Sequence, residues 1–343
     1  MQKRHGATSR EDRVQHERSF NYTIFLKIDW ALFRELKLNL FLMAAYKTQH
    51  FLPAAYLSHF SADGKSGRRV SDIWCASAKG QTCASVESFC AADYFYSVDD
   101  AEKVEKEFGK LESFYGTLRN NFWKQRNPKN EREYFGLVIM MFDIHLRSAA
   151  YAKNPSDNYA DYLMRTSGFR NDMLFGQRKR QSTEAEIIEH LRKNWRVRMV
   201  EAGFKRSFLT SDNPSLLFHA SNSDLVQLVV MPVTPRFYAV AFDRRAFDFT
   251  SSSASKDDET YLNHLQLGHS IDCVFTAERI SDAEVSALQS FFANRTMRTV
   301  SNVKDGWVAN THRTPKGKGF DFIEQRRQWS VWYWLKRISR RWK

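Results

Sequence analysis

The sequence predicts an α+β protein, with a helical first half packed against a mainly antiparallel β-sheet from the second half as a single large domain over residues 43–300. Three observations predict it. The strongest helical stripe lies early: Val104, Phe108, Leu111, Tyr115, Leu118 and Phe122 recur in alternating steps of four and three. A second early run, Tyr134–Phe142, is apolar almost throughout, the mark of a centrally buried helix. Runs rich in β-branched and aromatic residues, Leu225–Met231 and Phe237–Phe242, come late and are bounded by prolines and turn residues.

Taken in order, residues 1–42 are expected to be a disordered or amphipathic extension. Residues 1–20 are polar without an apolar period, and Trp30–Leu42 fits an amphipathic helix. Met43 is a candidate start. Pro53 suits the first turn of a helix that places Tyr56, Leu57 and Phe60 on one face. Residues 61–72 form a Gly- and Ser-containing loop, and Val70–Ala76 a strand. Asp99 and Asp100 precede the long stripe, and Glu131–Ala152 forms the buried helix. Glu184–Ala202 is expected as a third helix, with Ile187, Leu191, Trp195 and Met199 apolar and Gly203 as its stop. Ser207–Phe218 reads as strand, polar turn and strand. Thr250–Lys256 is a loop, Tyr261–Ser270 a helix, Val274-Phe275 a short strand and Ser281–Asn294 a helix capped by Ser281.

Composition narrows the function classes. At 43% hydrophobic and 14% aromatic, the 343 residues can bury a substantial core. Four cysteines without a C-x-x-C pair argue against a zinc knuckle or a secreted disulfide framework, and a reducing cytoplasm is the simplest setting. No apolar run approaches the roughly 20 residues that span a bilayer. The net charge of +13 is uneven: +3 falls in residues 1–42, +8 in residues 304–343 and only +2 in the body between them. The basic Trp-rich tail, residues 301–343, interleaves Trp329 and Trp332 with Lys336 and Arg337. Such a segment suits nucleic acid, an anionic membrane surface or a partner groove, and equally a terminal helix packed by its tryptophans. The chain has no P-loop, G-x-G-x-x-G, G-x-S-x-G or H-E-x-x-H, so NTPase, dinucleotide, hydrolase-elbow and zincin readings lack support.

The candidate site residues are dispersed. Asp212 sits between two apolar runs in the turn Ser211-Asp212-Asn213-Pro214, whose shape is set by Pro214 and by short polar side chains that bond nearby backbone. His50 precedes the first helix, either as a hydrogen-bonded core or cap residue or as a base or metal ligand. Glu105 and Glu112 are seven apart and share a helix face, which is either solvated or lines a cleft. Asp143, His145 and Arg147 emerge from the buried helix and must be paired or border a cleft.

Gln49-His50-Phe51-Leu52-Pro53 with Tyr56-Leu57 and Phe60, and Phe208-Leu209-Thr210-Ser211-Asp212-Asn213-Pro214, resemble the signatures of the bacterial family filed as domain of unknown function 4238. Glu105, Glu112, the Arg147 region and Pro232-Val233-Thr234-Pro235 look like that family too. Ser148-Ala149 departs from its Thr-Pro. The resemblance covers about residues 43–300 and implies a shared fold but no reaction. Two functions are carried forward. In one, His50, Glu105, Glu112 and Asp212 converge around Mg²⁺ or Mn²⁺, with Arg147 as electrostatic partner, to hydrolyse a phosphodiester of nucleic acid. In the other, the same residues form a structural network in a non-catalytic binding or regulatory module, and the tail makes the contact.

Overall fold

Trp195, Val197 and Met199 are separated by arginines, so this run has a period of two as well as the i, i+4 spacing of a helix. In the computed structural model the period of two prevails. Helix Glu184–Asn194 ends and strand Trp195–Ala202 begins, with the apolar residues buried and Arg196 and Arg198 half-buried. The expected helix Glu184–Ala202 is corrected accordingly. As a strand the run pairs along its length with Phe237–Asp243, which satisfies the backbone groups on that edge while burying Trp195, Val197 and Met199.

The structure describes residues 48–61, 71–93, 130–153, 184–203, 208–219, 225–294, 311–313 and 320–326, with individual positions between 106 and 128. The strands in chain order are β1 Thr48–His50, β2 Asp72–Ser77, β3 Gly80–Ser85, β4 Ala91–Asp93, β5 Trp195–Ala202, β6 Thr210–Ser211 and β7 Leu216–His219. They continue with β8 Val226–Thr234, β9 Phe237–Asp243, β10 Phe247–Phe249, β11 Ser253–Ala254, β12 Cys273–Thr276, β13 Thr311–Arg313 and β14 Ile323–Gln325. The helices are α1 Ala54–Leu57, α2 Glu131–Lys153, α3 Glu184–Asn194, α4 Lys256–His269 and α5 Asp282–Asn294. The described positions from 106 to 116 are also helical.

Two sheets carry the architecture. One has six strands in the order β11-β5-β9-β8-β7-β13, antiparallel within and closed by a parallel strand at each edge. The other has four antiparallel strands in the order β3-β2-β12-β6. The expectation of a helical first half against a second-half sheet is overturned. Strands β1 to β4 all precede residue 94, β2 and β3 share their sheet with β12 and β6, and α3, α4 and α5 are scattered among the later strands. The physical reason is that β2 finds its partner in β12, about two hundred residues on, through register pairs such as Cys75↔Phe275. Local propensity marks a strand but does not say where it pairs.

The six-stranded sheet is covered on both faces. Val229 and Met231 of β8 join a core with α2 and α3, including Leu137, Met141, Ile187 and Leu191. Leu228 and Val230 join the opposite core with Leu262 of α4, Phe320 and Phe322. Double burial explains why Leu228–Met231 is continuously apolar instead of alternating. Helix α4 begins earlier than expected, with Ser255 and Asp258 closing a capping box. Among the described residues no helix is long and apolar enough to cross a membrane, and Cys75, Cys83, Cys90 and Cys273 are all free.

Tyr56 ties α1 to both sheets. Its ring is fully buried, and its hydroxyl lies 2.6 Å from Thr210 Oγ1 in β6 and donates to the Pro232 carbonyl in β8 at 2.6 Å. Tyr56→Phe keeps the packing and strips the buried carbonyl of its donor. The expected outcome is a loss of about 1–3 kcal/mol, seen as a lower urea midpoint with an unchanged m-value.

Candidate functional site

The turn after β6 is where the chain leaves the four-stranded sheet for the six-stranded one. The strands flanking Asp212, β6 and β7, therefore belong to different sheets. Ser211, Asp212, Asn213, Pro214 and Ser215 are all buried, so their polar groups need protein partners. Ser211 Oγ donates to Gln266 Oε1 at 2.9 Å, and Gln266 Nε2 donates to the Pro214 carbonyl at 2.7 Å. Asn213 Nδ2 donates to the His269 carbonyl at 3.3 Å. On the other side, Ser215 Oγ donates to the Met141 carbonyl at 2.8 Å, and His145 Nδ1 lies 3.1 Å from the Ser215 carbonyl.

Asp212 is 1% exposed. Its carboxylate faces three successive amides that follow α4. Oδ1 accepts from Ile271 N at 2.6 Å; Oδ2 accepts from Asp272 N at 2.6 Å and Cys273 N at 3.1 Å. Successive N–H groups pointing one way form an anion-binding concavity, and here a side chain of the same chain fills it. Burial pushes the Asp212 carboxyl up to about 6, against the pull of those amides; the Asp272 carboxylate adds to the rise. The Cys273 Sγ lies 3.8 Å from Oδ2. Its thiol is pushed well up by a hydrogen bond with the Cys75 thiol and by burial. Burial also pushes the Cys90 thiol well up, with Asp212 contributing. These thiols stay protonated at neutral pH, unlike the thiolates that attack or ligate. Cys90 takes φ 56°, in the left-handed region, and its carbonyl accepts Phe51 N at 2.9 Å.

Arg147 organises a second group. It is 1% exposed, and its guanidinium carbon sits 4.2 Å from the centre of the Phe108 ring. Its Nη2 donates to Glu112 Oε1 at 3.1 Å and to the backbone carbonyl of His50. Its Nη1 lies 3.9 Å from Asp143 Oδ2, one helical turn back on α2. The His50 imidazole points elsewhere, with Nε2 3.2 Å from the Glu87 carbonyl. His50 itself lies in β1, opposite Ala91 of β4.

The structure thus brings Arg147, Glu112 and the backbone of His50 together. Asp212 makes no hydrogen bond or ion pair to any of the three; its polar contacts are to residues 271–273. Glu105, Trp329, Trp332, Lys336 and Arg337 lie outside the described residues. Among the described residues no group of three or more His, Cys, Asp or Glu side chains is placed to hold a metal ion. Asp212 is 1% exposed and its carboxylate is turned onto three amides of its own chain, so it is not presented to a metal ion from solvent.

Sequence reasoning missed Gln266, Ser215 and the hydroxyl of Tyr56 as partners of the turn. No local pattern marks them, because each acts on a residue more than fifty positions away. Asp143 had a signal: it stands four residues before Arg147 on one helix face.

A family model described as "Protein of unknown function (DUF4238)" matches residues 48–303. No curated protein and no solved structure matches the chain.

Two outcomes follow from these contacts. Asp212 titrates from an ordinary value of 3.8 when unfolded to about 6 when folded. A carboxyl raised in this way favours folding fully below about pH 4, and that contribution is lost as pH rises through 6. Urea titrations of wild type and Asp212→Asn from pH 4 to 7 should show the wild-type stability falling relative to the variant by roughly 2 kcal/mol. A flat difference would contradict the burial argument. Arg147→Ala leaves acidic partners beside a buried gap and should cost about 3–5 kcal/mol. In a Glu112→Gln background the loss should be smaller, as a double-mutant cycle reads directly.

Proposed function

The chain belongs to the DUF4238 family of proteins of unknown function, and on that premise we propose that it is a non-catalytic binding or regulatory module for nucleic acid. One observation carries this reading. Asp212, the best-placed acid of the hydrolase alternative, has both carboxylate oxygens occupied by backbone amides at 2.6–3.1 Å and is 1% exposed. Arg147 is likewise committed, to Glu112, Asp143 and the His50 carbonyl, and not presented to a phosphate. Residues that satisfy one another in the interior position the chain; they do not meet a substrate.

The contact is then made by the basic Trp-rich segment. Its net charge of +8 over residues 304–343 supplies phosphate neutralisation, and Trp329 and Trp332 supply rings for base stacking beside Lys336 and Arg337. Nucleic acid is favoured over an anionic membrane surface because bases give the tryptophans a stacking partner as well as a charge partner. Phosphodiester hydrolysis with Mg²⁺ or Mn²⁺ is the reading the burial of Asp212 favours less, since a catalytic metal and its substrate need a carboxylate they can reach.

The test measures fluorescence anisotropy of a labelled single-stranded oligonucleotide with the full chain, alongside a cleavage assay supplemented with Mg²⁺ or Mn²⁺. Affinity should fall steeply with salt. Trp329→Ala with Trp332→Ala should weaken it about tenfold or more, and no metal-dependent cleavage should distinguish wild type from Asp212→Ala. Cleavage by wild type that Asp212→Ala loses while keeping the wild-type melting temperature would establish the hydrolase instead. Salt-dependent binding to phosphatidylserine vesicles with none to the oligonucleotide would move the contact to a membrane.

A further inference from the structure

A second feature lies in the described body, apart from the tail, and stands or falls independently of the proposal above. Helices α2 and α3 and strand β5 enclose a half-open cavity of about 380 Å³, within the range of small-molecule sites. Its wall combines Tyr134, Phe135 and Trp195 with Arg192, Arg196 and Arg198, and no acidic residue lines it. Arg192 is neutralised outside the cavity by Glu189 at 3.2 Å. Arg196 and Arg198 have no carboxylate partner among the described residues.

Strand geometry puts these two arginines on the same side of β5, two residues apart. Both are half-buried. Each is steadied through one nitrogen by neutral oxygens. Arg196 Nη1 donates to the Trp195 and Arg192 carbonyls, the latter at 3.2 Å. Arg198 Nη1 donates to the Tyr134 hydroxyl at 2.6 Å and to the Val197 carbonyl at 2.9 Å. The remaining guanidinium donors of both residues make no protein hydrogen bond among the described residues. Trp195 is 3% exposed, and its indole N–H likewise has no acceptor there. Two neighbouring positive charges in a partly desolvated hollow repel each other, and an anion between them relieves that cost. Guanidinium forks match phosphate oxygens in shape and number.

We propose that this cavity binds a nucleoside monophosphate, with its phosphate between Arg196 and Arg198 and its base against Tyr134 and Phe135. The rings supply a stacking surface beside the cations, the pairing that recognises a planar base joined to an anion. A phosphate alone would use only the arginines, and a nucleoside alone only the rings.

Isothermal titration calorimetry with the full chain tests this, with AMP, adenosine and inorganic phosphate as separate titrants. AMP should bind more tightly than either fragment. Arg196→Gln and Arg198→Gln should each weaken AMP about tenfold, with thermal melting confirming that the variants fold. Phe135→Leu, which leaves the Tyr134 hydroxyl on Arg198 in place, should weaken AMP while leaving phosphate binding within about twofold, a split expected only if base and phosphate occupy separate parts of the cavity. A 5′-phosphorylated oligonucleotide that binds in competition with AMP would add strand ends to the ligands of the same cavity. No AMP binding by wild type, or binding unchanged in both arginine variants, would overturn the proposal; unchanged binding would place the anion elsewhere on the chain, the basic tail included.

Discussion

A buried junction between two sheets has to satisfy its own peptide groups, and most of the described fold can be derived from that requirement. Residues 210–215 pass from β6 to β7 with almost no access to water, so every polar group in the passage needs a protein partner. Those partners arrive from three directions. Helix α2 supplies the Met141 carbonyl and His145, helix α4 supplies Gln266 and the His269 carbonyl, and the segment from Ile271 to the start of β12 supplies the amides around Asp212. Tyr56 adds a fourth tie from α1 through Thr210. Elements distant in sequence are thereby held to one short peptide. The cost of leaving any one of these groups unpaired, not the strength of each bond, makes the arrangement specific.

The same logic governs Arg147. A guanidinium this deeply buried must be surrounded by acceptors, and Glu112, Asp143 and the His50 carbonyl provide them. Because the His50 contribution is a carbonyl, it locates β1 whatever the imidazole does. Cys90 continues the connection. Its left-handed backbone turns the chain so that its carbonyl receives Phe51 N, while its thiol lies close enough to Asp212 for the two to interact electrostatically. The two polar groups are therefore neighbours along a line of backbone contacts without forming one constellation of side chains.

Much of this was legible in the sequence and some could not be. The buried helix over residues 131–153 was visible because an all-apolar centre has few alternatives, and the polar residues at its end announced that they must be paired. The turn at Asp212 was visible from Pro214 and its polar neighbours. The two-sheet division was not, because nothing within Ser207–Phe218 says that its two strands part company. Trp195–Ala202 misled for a definite reason: spacings of four satisfy a helix and a strand alike, and only the intervening arginines and valines favoured the strand. Strand β3, Gly80–Ser85, is short of large apolar residues and half-exposed along much of its length, so its pairing with β2 was hidden from any pattern of hydrophobicity.

Strand β5 shows how one constraint shapes both stability and a surface. On one side it pairs fully with β9; on the other, β11 reaches only Glu201 and Ala202. Among the described residues, the stretch from Trp195 to Val200 therefore has no strand on its outer side; the Met199 amide donates to Asn127 Oδ1 at 3.3 Å, and the Trp195 and Val197 carbonyls accept from Arg196 and Arg198. An open edge with a buried inner face is a template for unwanted pairing, and cationic side chains at alternate positions discourage it. Arg196 and Arg198 meet that need. Packing α2 and α3 against the inner face then leaves aromatic rings beside guanidinium groups that have no carboxylate partner among the described residues. A hollow lined by rings and guanidinium groups, suited to an aromatic ring joined to an anion, thus goes together with how this strand is kept from pairing with others.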